Sequence, residues 1–90
     1  MKHVTFYSTS FCPTCKFLKP KVQEVYPDTE FVLLDDDMEL AGKLGIATVP
    51  TIIFWNSLGT LTGDEEIKRL SGGVTIQQQF KDALIEVGML

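Results

Sequence analysis

The sequence predicts an α/β fold, a mixed four-stranded sheet flanked by three helices in the order β-α-β-α-β-β-α. Three observations carry this prediction. Short runs rich in β-branched and aromatic residues (HVTFY, FVLL and TIIFW) recur at strand length. Between them lie stretches whose apolar residues fall at helical offsets. Proline, glycine and aspartate stand where those elements must start or stop.

His3 to Tyr7 reads as the first strand and Ser8 to Phe11 as a loop. The first helix is expected to begin at Cys12-Pro13, because proline suits the first helical position, where its missing N–H has no partner anyway. Its expected apolar stripe is Phe17, Leu18, Val22 and Val25. Pro20 lies inside this helix and is expected to kink it, and Pro27-Asp28 ends it. Glu30 to Leu34 reads as a second strand, apolar enough to be covered on both faces. Asp36 or Asp37 is expected to cap a helix from Met38 to Leu44, which Gly45 closes in a left-handed conformation. Thr51 to Trp55 reads as a central third strand, followed by turn residues Asn56 to Gly59. Leu61 to Leu70 returns as a fourth strand, in a long or bulged hairpin because Gly63 and Asp64 to Glu66 interrupt it. After Ser71-Gly72-Gly73, Thr75 is expected to cap the last helix with Gln78 as its capping-box partner. Ile76, Phe80, Leu84 and Val87 form that helix's inner face. The first two strands should be parallel with a right-handed crossover, and the last two antiparallel.

The chain has 90 residues, 44% of them hydrophobic and 22% charged, with net charge −4. One domain over residues 1–90 is the expectation, with apolar content enough for a core that needs no metal or disulfide staple. No apolar run approaches the roughly 20 residues a membrane helix needs. The acidic balance and scattered lysines argue against nucleic acid as a partner. Met1 to Phe6 has no targeting signature, so a reducing cytoplasm is the expected compartment. Two cysteines there are not expected to be a structural staple.

Cys12-Pro13-Thr14-Cys15 is the informative feature. Two cysteines spaced this way at a helix start can close a small disulfide ring. At the N-cap, the first sulfur meets unpaired N–H groups and the positive end of the helix dipole, which favour thiolate over thiol. Such cysteines have pKa values of roughly 3.5 to 7.5. Cys12 is therefore the candidate nucleophile, and Cys15, one turn inside, the residue that resolves the mixed disulfide. A tetrahedral zinc site needs four ligands. The chain offers two cysteines and His3, so zinc would require a site shared between chains. Structural thiols are the remaining alternative. Val49-Pro50-Thr51 is a second element: a strand-entry proline, or a cis-proline beside the cysteines with backbone open to an extended substrate.

Four patterns resemble the thioredoxin family across nearly the whole chain: CPTCK with Pro20 five residues after Cys15, DDDMELAGKLGIATVPT, TIIFWNSLG and RLSGGVT. The resemblance implies a minimal thioredoxin fold, a cis Pro50 and thiol–disulfide exchange with protein disulfides. It implies a Cys12–Cys15 redox disulfide in place of any cofactor or metal, an upstream donor of the thioredoxin-reductase type, and a monomer. Phe11, Pro13, Thr14, Val49, Pro50, Thr51, Gly72 and Gly73 become the candidate substrate contacts. The chain also departs from the family. It opens directly on the strand leading to Cys12, as glutaredoxins do, and Phe6 replaces the buried aspartate that assists proton transfer to the second cysteine. That step then needs another route, such as water. The hairpin over residues 56–70 is longer than the family's.

Two alternatives follow. A glutathione-dependent glutaredoxin resembles the chain in its length, its Cys-Pro start, its Thr-Val-Pro and its double glycine. Thr9, Thr14 and Val74-Thr75, however, stand where a glutathione site places a base, a tyrosine and an acidic cap. The other is a binding module in which the redox pair is incidental.

Overall fold

A computed structural model describes residues 2–35, 37–57 and 64–90. Its elements are β1 (Lys2–Ser8), α1 (Pro13–Val25), β2 (Glu30–Leu33), α2 (Met38–Leu44), β3 (Thr51–Ser57), β4 (Asp64–Ser71) and α3 (Gly73–Glu86). The strands form one sheet in the order β2-β1-β3-β4. β1 and β2 are parallel, and both β1–β3 and β3–β4 are antiparallel.

Strand alternation assigns the two faces. Val4, Phe6, Ile52 and Phe54 point to one side, where Leu18 and Val22 of α1 and Ile76, Phe80 and Leu84 of α3 cover them. Tyr7 and Ile53 point to the other, where they meet Leu34, just after β2, and Ala41 of α2. Arg69 of β4 reaches across this second face, and its guanidinium donates to Leu44 O at 2.7 Å and to Glu66.

Several expectations are corrected. The buried stripe of α1 is Cys15, Leu18 and Val22, at offsets of three and four. Phe17 and Val25 lie outside it, exposed, with Lys21 against the Phe17 ring. β2 is an edge strand rather than one covered on both faces, and its Leu33 is 61% exposed. β3 runs on through Asn56 and Ser57, because Asn56 pairs with both Lys2 and Glu65, so the turn does not begin at Asn56. Leu58 and Gly59 of the expected turn, and Leu61 and Gly63 of the expected fourth strand, lie outside the described residues. The hairpin is bulged, since Phe54 faces Lys68 whereas Trp55 faces Glu66. Asp64 to Glu66 belong to the strand rather than interrupting it. Helix α3 starts earlier than expected: its N-cap is Gly72, with φ 90°, and Thr75 sits within the first turn. The backbone supplies the reason, because Ile76 N donates to Gly72 O and only glycine takes that φ freely. Asp37 caps α2 through Leu40 N and Gly45 ends it with φ 70°, as expected. Asp36, the other expected cap, lies outside the described residues.

Candidate active site

All three helices begin at one end of the sheet, where the parallel strands β1 and β2 finish. Ligands of open α/β sheets gather at that end. β1 delivers the chain into the Thr9–Phe11 loop, which turns back so that Cys12 N donates to Thr9 O. Cys12 has extended backbone angles and is the N-cap of α1, with Pro13 at the first helical position. Its Sγ accepts a hydrogen bond from Cys15 N at 3.0 Å, as a capping oxygen would.

Cys12 and Cys15 are joined as a disulfide, with Cα atoms 5.2 Å apart. The two sulfurs sit in unlike surroundings. Cys15 is 3% exposed inside the larger core cluster, whereas Cys12 is half-buried at its margin. Chemically, the outer sulfur is reachable by a partner and, once released as thiolate, keeps the helix N-terminus as its counter-charge. The inner sulfur is closed to a protein partner and is met by its neighbour. That is the division needed for thiol–disulfide exchange through a mixed disulfide.

The other candidate residues assemble through contacts inside the protein. The Val49–Pro50 bond is cis, and the Pro50 carbonyl accepts from Gly72 N at 2.9 Å. A Cβ on Gly73 would stand 2.3 Å from Thr14 Cγ2, so α3 starts in close approach to the first turn of α1, and a larger residue there must displace the Thr14 side chain. The cis-proline loop, the double glycine and the cysteine turn thus form one connected unit. Thr51 is buried and its hydroxyl donates to Thr48 O, so it offers partners no side chain. Val49 is half-buried and packs against both core clusters. Beside it, a cleft of about 170 Å³ is walled by Leu34, Met38, Ile46 and Ala47. Phe11, Met38 and Val74 are 81%, 74% and 69% exposed, one at the start of each helix.

Asp35 acquires a contact that sequence reading did not assign. Its carboxylate accepts from Ser10 N at 2.8 Å and from the Ser10 hydroxyl. These bonds hold the Asp35 carboxyl below its ordinary range, against the small opposing effect of desolvation. The sequence contains a signal for it: Ser8 pairs with Leu33 in parallel register, so the residues two further along each chain, Ser10 and Asp35, arrive together.

Comparison with known proteins gives a consistent result. The family model described as Thioredoxin matches residues 2–84. Thioredoxin H8 from Arabidopsis thaliana is 36% identical over 53 residues, which is 53% of this chain and 36% of that protein. The chain thus matches only about a third of the length of that curated relative. Among solved structures, a mutant thioredoxin from Halobacterium salinarum superposes with a TM-score of 0.76 at 19% identity, covering 99% of this chain and 76% of that one. Thioredoxin f2 from Chlamydomonas reinhardtii gives 0.76 at 18% identity, with 99% and 81% covered. A Plasmodium falciparum thioredoxin gives 0.75 at 16% identity, with 94% and 70% covered. At those identities the structural likeness speaks for the fold.

Proposed function

Because the chain belongs to the thioredoxin family, we propose that it is a dithiol reductant of protein disulfides. The observation that carries this is the asymmetry of the pair: Cys12 caps α1 at the surface and Cys15 is buried behind it. In the reduced form, the Cys12 thiolate attacks one sulfur of a substrate disulfide and the other substrate sulfur leaves as a thiol. The mixed disulfide holds the substrate segment along the Val49 backbone, against Pro50 and the exposed apolar side chains at the helix starts. Cys15 then attacks Cys12, the substrate sulfur departs reduced, and the Cys12–Cys15 disulfide is restored. An upstream flavoenzyme of the thioredoxin-reductase type returns two electrons to the pair. The carrier acts as a monomer in a reducing compartment, without metal or organic cofactor.

The surroundings favour this reductase over a glutathione-dependent one. Thr9, Thr14 and Val74, the positions where a glutathione site concentrates its polar contacts, carry no charge. The test is reduction of insulin disulfides, driven by NADPH and thioredoxin reductase in one arm and by glutathione alone in the other. Turnover is expected in the first arm only, with Cys12→Ser falling to the uncatalysed rate. A Cys12→Ser protein that keeps its full cellular role would instead identify a binding module. The redox equilibrium against glutathione should give a potential near −250 mV or below, whereas a value near about −120 mV identifies an oxidant.

A further inference from the structure

We infer that a cleft on the β2 side of α1 is the proton exit of Cys15, and that Lys16 and Lys19 at its rim favour the Cys15 thiolate. This inference rests on the reading of Cys15 as the resolving thiol.

Cys15 must lose its proton before it can attack Cys12. It lies in the core cluster among side chains such as Phe6, Leu18 and Ile76, and apolar surroundings hold a thiol protonated. Among the described residues, none beside it can serve as a buried base. The buried polar residues of the described chain are Thr5, Ser8, Thr29 and Thr51, none of them a carboxylic acid or a histidine. The fully buried Phe6 fills the neighbouring position on β1.

One side of Cys15 is different. A cleft of about 240 Å³ reaches it, walled by Ser8, Thr9 and Ser10 from β1 and its loop, by Leu33 from β2, and by Lys16 and Lys19 from α1. A water occupies about 30 Å³ in the liquid, so the space accommodates several, among lining residues that include three hydroxyl-bearing side chains and two lysines. The charged residues that line this cleft, Lys16 and Lys19, are both cations. Asp35, from the loop after β2, is turned to Ser10 and bonded there. What β3 and α3 contribute to the Cys15 cluster is apolar: Ile52, Phe54, Ile76, Phe80 and Leu84. Lys19 is positioned as well as charged, since its Nζ lies 5.0 Å from the centroid of the Phe31 ring on β2.

The step balances without a further reactant. Water in the cleft takes the proton from Cys15 Sγ. The thiolate forms the bond to Cys12 Sγ as the bond between Cys12 and the substrate sulfur breaks. That sulfur leaves with the electron pair and takes a proton from solvent. The substrate is reduced and the cysteine pair oxidised.

The test begins in Cys12→Ser, which leaves Cys15 as the only cysteine, so thiolate absorbance against pH reports its pKa directly. Lys16→Gln with Lys19→Gln should raise that pKa by about one unit, and arginine at both positions should restore it. With Cys12 present, mixing with an aromatic disulfide that releases a coloured thiolate at each step separates attack by Cys12 from resolution by Cys15. A one-unit rise leaves about tenfold less thiolate, and a nucleophile about threefold better, so resolution should slow about threefold. Ser8→Val, which removes a hydroxyl from the cleft wall, should slow resolution and spare the first attack. A Cys15 pKa that stays put in the double glutamine variant overturns the inference, as does equal slowing of both steps in Ser8→Val. The titration uses no substrate, so its failure is distinct from a failure of insulin reduction.

Discussion

Single side chains divide the labour of this site, and two of them yield predictions. Gly73 has no room for a Cβ, which would stand 2.3 Å from Thr14 Cγ2. Gly73→Ala should therefore destabilise the protein by about 1–3 kcal/mol, the usual cost of overpacking. Adding Thr14→Ser should recover most of the loss, because it deletes the clashing methyl group. Thermal unfolding of the single and double variants checks this. Asp35 gives a pH signature. Its carboxyl is held below the ordinary range, chiefly by the Ser10 hydroxyl and then by Ser10 N. The folded state thus binds its proton at lower pH than the unfolded chain does. The resulting stabilisation is present above an unfolded value of about 4 and is lost as pH falls through the folded one. The melting temperature of the parent should exceed that of Asp35→Asn at neutrality and approach it as pH falls from about 4 through the lower folded value. Parallel curves would refute the assignment. At this scale the sequence showed the cysteine pair plainly, because helix capping is local chemistry. The Ser10–Asp35 bond joins residues 25 positions apart and needs the strand register to be seen.

Among the elements, α2 depends most on a distant partner. It spans only Met38–Leu44, too short to persist by its own hydrogen bonds. Asp37 holds its start, and its end is held by Arg69, which donates to Leu44 O and also contacts Gly45 O. The pair with Glu66 keeps the guanidinium charged and aimed. Arg69→Met should lower stability by about 1–2 kcal/mol in denaturant unfolding. It should also speed amide exchange in α2 more than in α1. The elements themselves were legible from periodicity and turn chemistry. Those misjudged depend on tertiary facts. β2 is as apolar as a covered strand, yet ends the sheet. Phe17 has the right residue type for the stripe of α1, yet only the 15, 18, 22 series faces the sheet. Thr75 offers a good cap, but Gly72 starts the helix three residues earlier so that Pro50 O and Gly72 N can meet.

For the molecule as a whole, the disulfide is both the reactive group and a cross-link. It closes a loop of sequence separation 3. Chain-entropy reasoning gives such a short loop about 2 kcal/mol, so the reduced protein should melt about 10 °C below the oxidised one. Calorimetry of the two forms, with Cys12→Ser as a control resembling the reduced form, measures it. Equal melting temperatures would show that reduction is compensated elsewhere. The assembly of the site at one end of the sheet was readable from strand and helix order. The contacts that make it a unit, Pro50 to Gly72 and Gly73 to Thr14, were visible only as suggestive residue types.

The hydrogen bond from Cys15 N to Cys12 Sγ has a consequence for traffic between partners. It is already in place while the sulfurs are joined. On reduction the charge that develops on Cys12 finds its donor waiting, and the backbone has little to rearrange. Under the function proposed above, an upstream donor and a substrate would then meet nearly the same outline at this turn. What would distinguish the two forms for them is the charge at a single sulfur.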